Sequence, residues 1–291
     1  MEMRKHEFGD APLLPGLDIS LGQYTPMPAA TTPDPRLPDR LSFTHVRRAC
    51  ELAIQQGDYK LAWRGAQAMM RRCPEALWPS MILAQSLLAS KQPAMSIPHF
   101  QLLINRNQMD VAAWRGLSMA LQHSGHDVAA GAASRRAACN QPLDTNGVPT
   151  EAAATLPAAR GMIYLRRGMA DMAVVELANT VRQAPTRLDV RWAYISALWQ
   201  SQRLDDARRL LSHHDFEMEP QFPLLCLRAV LSTASDVVSA TRAQIAAMDP
   251  DGSYQQAFFA PHDVPWPIEA APTIGWDPDV LALSDYLIAT A

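Results

Sequence analysis

From about residue 43 to residue 250 the apolar positions recur at helical spacing, in stretches that short polar breaks interrupt. The stretch "AAWRGLSMALQHSGHDVAAGAASRRAACNQP", Ala112 to Pro142, is typical. It holds two Ala-rich amphipathic runs separated by "SGHD" and closed by a proline. The pattern predicts two helices joined by a tight turn, and the same arrangement recurs along the chain.

With a unit starting at Val111, Ser118, Leu121, Gly125, Ala130 and Pro142 take positions 8, 11, 15, 20 and 32. A shift of 34 residues back to Leu77 puts Ala84 and Leu87 at positions 8 and 11. A second such shift, to Phe43, puts Cys50, Ala53, Gly57, Ala62 and Pro74 at positions 8, 11, 15, 20 and 32. Downstream, a unit from Ala154 repeats the pattern with Gly161, Tyr164, Gly168, Ala173 and Pro185, and one from Leu188 does so with Ile195, Leu198 and Ala207. Nine extra residues, Thr145 to Ala153, form a loop between the third and fourth units. Self-similarity at this period is the mark of a stacked repeat protein. Small residues at positions 8 and 20 let two helices approach closely. Glycine at position 15 supplies the left-handed backbone that ends the first helix. Proline near position 32 stops the second.

The segments "GDYKLAWRGAQAMMRRCP" (57–74) and "RGMADMAVVELANTVRQAP" (167–185) resemble the turn, second helix and closing proline of tetratricopeptide repeats, and the resemblance covers about residues 43–221. It implies an all-α, right-handed superhelical solenoid of about five to six hairpins with extended N- and C-terminal tails. The expected organisation is a proline-rich extended segment over residues 1–40 and a repeat array over 41–250. The array's units lie near 43–76, 77–110, 111–144, 154–187 and 188–221, with a degenerate unit at 222–250 acting as a cap. An acidic aromatic tail covers 251–291. Two departures stand out. The second unit has "KQPAMSIP" at its turn, with no glycine, and Pro98 is expected to delay or kink its second helix. The fifth has Gln202 where glycine is common.

Charge sharpens this division. Residues 1–40 carry seven prolines and a net charge of −2, residues 41–248 a net charge of +6, and residues 249–291 seven acidic residues and no Lys or Arg. The tail also holds Tyr254, Phe258, Phe259 and Tyr286, with Trp266 and Trp276 as its expected anchors, and "DPDVLALSDYLIATA" reads as a short helix after Pro278. A tail of this kind is expected to dock on the array of its own chain, on a second copy, or on a partner. The overall charge of −3 and the modest basic excess of the array argue against nucleic-acid binding. No stretch is long and apolar enough for membrane insertion. The N-terminus has no apolar core of a secretory signal, so a cytoplasmic location is expected. The four cysteines lie far apart and read as small buried residues.

The resemblance also places the first helix of each unit on the concave face. The expected partner groove is Arg47, Trp78, Met81, Gln85, Arg115, Met119, Gln122, Met162, Arg166, Trp192 and Trp199. Trp and Arg are enriched in binding hot spots, and Met adapts to irregular partners. A register shifted by one would instead put some of these in the core between hairpins. Glu51 beside Arg47 argues against a clamp for a C-terminal carboxylate. His123 and His126 straddle a turn and read as solvated rather than as metal ligands, and no nucleophile motif or phosphate loop is present. The expectation is a non-catalytic adaptor, without cofactor or metal, that binds a peptide segment or protein subunit. The alternative is a structural subunit whose groove is filled from within and whose tails hold an assembly together.

Overall fold

In the computed structural model, residues 40–144, 146–150, 156–212, 221–262, 273–274 and 278–290 are described. Helices α1 (Phe43–Gln55), α3 (Leu77–Ala89), α5 (Val111–His123) and α9 (Leu188–Gln200) each begin on the first residue of a sequence unit, and α7 (Pro157–Arg166) begins on a proline three residues into its unit. Their hairpin partners are α2 (Tyr59–Arg72), α4 (Pro93–Arg106), α6 (Asp127–Asn140), α8 (Ala170–Gln183) and α10 (Leu204–Ser212). Each helix packs on its chain neighbour, which makes the fold all-α and consistent with a helical-repeat solenoid.

The side chains at the hairpin crossings explain the close packing. Ala62, Ser96, Ala130, Ala173 and Ala207 are all buried at position 20. In the third hairpin the Ser118 hydroxyl donates to the Ala130 carbonyl at 2.9 Å, so positions 8 and 20 touch directly. A Cβ on Gly161 would come within 2.5 Å of Leu177, so nothing larger fits there without a shift.

The turns follow a single rule. Gly57, Gly125 and Gly168 adopt positive φ, and so do Lys91 (63°) and Gln202 (61°) in the two hairpins that lack glycine at that position. The backbone conformation is therefore kept and its cost is carried by the side chain. Pro98 does not delay its helix: α4 starts at Pro93, level with the other second helices, and accommodates Pro98 within it.

Three clusters form the core. One joins α1, α2 and the start of α3; the second spans α3 to α6; the third spans α7 to α10. Helix α11 (Phe222–Leu231) serves two of them. Phe222, Leu225, Cys226 and Ala229 enter the α3–α6 cluster, while Leu227 and Leu231 enter the α7–α10 cluster. Helix α12 (Ser235–Met248) pairs with α11, and α13 (Ser253–Phe259) follows. Polar ties reinforce the stack. Asp189, fully buried, is held by Arg136 at 2.8 Å and Arg187 at 2.7 Å.

The far end of the chain returns to the first hairpin. Residues Thr273–Ile274 pair antiparallel with Leu41–Ser42, and helices α14 (Pro278–Leu281) and α15 (Ser284–Thr290) lie on α2 and α1. The sequence expects one short helix after Pro278; the chain forms two.

Two measurements check the turn argument. A residue other than glycine in the left-handed region costs on the order of 1 kcal/mol. Gln202→Gly is expected to raise stability by up to about 1 kcal/mol in thermal or urea unfolding, part of the gain being offset by unfolded-chain entropy. Gly125→Gln, where a Cβ meets open space, is expected to lose about as much through the backbone alone. At the crossing, Ala62→Trp is expected to lose roughly 1–3 kcal/mol or more by overpacking.

Candidate functional site

The first helices α1, α3, α5, α7 and α9 carry all eleven residues expected in the groove, and the structure sorts these into three groups. Trp78, Met81, Met162 and Trp192 are core rather than partner-facing, which corrects the sequence expectation. Trp78 meets Phe43 of the preceding hairpin edge to face, with ring centroids 5.1 Å apart. Met81 belongs to the α3–α6 cluster, and Met162 and Trp192 to the α7–α10 cluster, which α11 enters from outside the hairpin stack. Helices α3 and α9 are consequently buried around most of their circumference.

The second group is taken up by the chain itself. Asp251 places a fully buried carboxylate 3.1 Å from Arg47, whose other neighbour is Glu51 at 3.7 Å. The Tyr254 ring packs on Phe222 with centroids 5.9 Å apart, and Asp110 caps α5 by accepting from the Ala113 amide at 3.0 Å. Trp199 receives Phe259 edge to face at 6.4 Å and His262 at 5.1 Å. The Gln200 side-chain nitrogen lies 2.6 Å from Nδ1 of His262, so a neutral imidazole can accept there. Arg166 donates to the Asn140 carbonyl at 2.7 Å. Residues 249–262 therefore meet first-helix residues of the first and fifth hairpins.

The third group remains open. Gln85, Arg115 and Met119 line a groove of about 1050 Å³ between α3, α4 and α5, together with Leu88, Lys91, Phe100, Val111, His123 and Gln141. Met119 is 51% exposed. Gln122 is also exposed on α5 but does not line the groove. A Cβ on Gly116 would strike the Phe100 ring at 2.2 Å, so the groove floor depends on that glycine.

The expected tail anchors Trp266 and Trp276 lie outside the described residues. The anchors observed are others. Asp279 accepts from Arg64 Nε at 3.0 Å and from Arg71 at 2.7 Å. Leu283 fills the notch left by Gly65, where a Cβ would come within 2.4 Å of it, and the Tyr286 hydroxyl donates to Asp58. A pairing of Arg64 with Asp279 across 215 residues leaves no local mark in the sequence. The tail's lack of Lys and Arg and its aromatic residues pointed to docking as such, not to this pair.

Burial perturbs two ionisable groups in the crossing segment. The Asp249 carboxyl is pushed up to about 6 by burial, against hydrogen bonds from the backbone of Gln255 and Tyr254, with the charge of Asp251 pushing the same way as burial. His262 is lowered to about 4 by burial and by the charge of Arg166. Burial also raises the thiols of Cys50, Cys139 and Cys226.

Among the described residues, no group of three or more His, Cys, Asp or Glu is placed to hold a metal ion. No helix among them is long and apolar enough to cross a membrane. No protein-family model, curated protein or solved structure matches the chain.

The two shifts act on stability in opposite directions. The Asp249 contribution is complete below its unfolded value near 3.8 and is lost as pH rises through about 6. The His262 contribution is complete above 6.5 and is lost as pH falls towards about 4. Relative to the parent chain, Asp249→Asn should make stability climb more steeply with pH between these limits, and His262→Gln should make it fall. Each change of slope corresponds to roughly 2–3 kcal/mol across the window. Melting curves at several pH values read the slopes, and parallel pH profiles for all three proteins would contradict the assignment.

Proposed function

We propose that this chain is a non-catalytic protein-interaction module, built from five tetratricopeptide-like hairpins and a degenerate sixth wound as a right-handed superhelix and acting in the cytoplasm. Its partner segment lies in the open groove between α3, α4 and α5. The observation that carries this reading is the groove itself: about 1050 Å³ of space bounded by apolar Leu88, Val111 and Met119 and by polar Gln85, Arg115 and Gln141. An exposed methionine beside an arginine is the surface chemistry of protein interfaces. Gln85 and Gln141 can each donate to and accept from the backbone of an extended chain.

A second reading draws on the other part of the same face. Residues 249–262 occupy it, and α14 and α15 close onto the first hairpin. This favours a structural subunit whose own tail completes the array and whose remaining surface is fixed in a larger assembly. The two readings differ in the free protein. An interaction module is monomeric and exchanges partners, whereas a structural subunit is isolated at fixed stoichiometry.

Met119→Asp combined with Arg115→Glu tests the groove. Both side chains are exposed, so helicity and melting temperature should stay within a small margin of the parent. Cross-links between partners and α3 or α5 are expected to disappear, as read by mass spectrometry of the tagged full chain. If the same partners remain cross-linked to these helices at the same yield, the groove is not the partner site.

A further inference from the structure

The lining of the open groove is one-signed. Lys91 and Arg115 line it, and no Asp or Glu does. Among the described residues neither Lys91 nor Arg115 forms an ion pair, although Arg64, Arg71, Arg106, Arg136, Arg187 and Arg203 each have one. A concave site with walls of low polarity concentrates the field of such charges and favours a ligand of opposite sign.

The neighbouring stretch of the same face is already occupied by a segment of known chemistry. Residues 249–262, "DPDGSYQQAFFAPH", bring a carboxylate to Arg47 and aromatic rings to Phe222 and Trp199. One first-helix arginine, Arg47, thus accepts an acidic group, and Trp199 on another first helix accepts an aromatic ring. The open groove presents the same alternation, with Arg115 and Lys91 as cations and Leu88, Val111 and Met119 as apolar contacts.

We infer that the open groove receives an extended acidic segment of a partner protein, with its carboxylates on Arg115 and Lys91 and its apolar side chains on Leu88, Val111 and Met119. The inference rests on the proposal that this groove is the partner site, and it adds the chemistry of what enters. Positive charge sets the sign of the segment, apolar contacts supply most of the affinity, and the glutamine side chains hold its backbone.

The probe is a short fluorescein-labelled peptide alternating Asp with Leu and Phe, and its control has Lys in place of Asp. Anisotropy titrations use the full chain. The Asp peptide should bind and the Lys peptide should not. Arg115→Glu and Lys91→Glu should each weaken the Asp peptide by about tenfold, and added salt should weaken it in the parent chain. Met119→Ala should weaken it without changing the salt dependence. Equal binding of both peptides would overturn the acidic assignment while leaving the groove as a partner site. Failure of both peptides to bind, with partner cross-links unaffected by the groove variants, would overturn both readings. A full chain carrying Asp10→Lys and Asp18→Lys serves as the remaining arm. Much tighter binding of the probe to it would mean that the chain's own N-terminal segment is the occupant, which overturns the assignment to a partner. Unchanged binding supports that assignment.

Discussion

Two helices joined by a three-residue turn cannot bury an apolar stripe on each other alone, and this deficit governs the molecule. Position 20 is small in every hairpin so that the pair can close, and the larger residues around it must then find a second surface. For α3 and α9 that surface lies on more than one side. Trp78 turns back to Phe43, and the cluster containing Trp192 draws in Leu227 and Leu231 from α11. The end hairpins have a neighbour on one side only, so they need something else. The first finds it in α14 and α15, and α11 wedges between the second and third clusters.

The closing contacts combine apolar burial, by Val280, Leu283 and Leu287, with ion pairs. Asp279 sits between Arg64 and Arg71, and Asp251 beside Arg47. Ion pairs withdrawn from water return little net stability, because desolvation consumes most of the attraction. They do fix position, since an unpaired charge at either place would be strongly unfavourable. Leu283 in the Gly65 notch supplies apolar burial, and the arginine fork on Asp279 sets where the helix lands.

The array was legible in the sequence because its determinants are local and repeat. The spacing of Cys50, Ala62, Ala130 and Ala173 and the glycines at the turns each act within one hairpin. Lys91 and Gln202 show how a repeat persists when its marker residue changes: the backbone holds the left-handed turn although the residue type no longer announces it. The groove was only partly legible. Position within the first helix placed Gln85, Arg115 and Met119 at the open surface, and it placed Trp78, Met81, Met162 and Trp192 there as well. Helical phase tells which way a side chain points within its own hairpin, not what a distant element brings to meet it. Helix α11 and residues 249–262 are such elements, and their contacts reach from some 30 residues, as from Tyr254 to Phe222, to well over a hundred, as from the N-cap Gln221 to Asn105.

The fold-back also sets an order of events during synthesis. Each hairpin can close once its own residues have left the ribosome. Arg64 and the notch at Gly65, however, meet Asp279 and Leu283 only after some 215 further residues have been added. At about 5–20 residues per second that interval is roughly ten seconds or longer. Throughout it the first hairpin displays the Gly65 notch, with Arg64 and Arg71 still lacking the Asp279 carboxylate, to everything around the ribosome. The hairpin made first is thus the last to be finished, and chaperone attention would fall there rather than on the middle of the array.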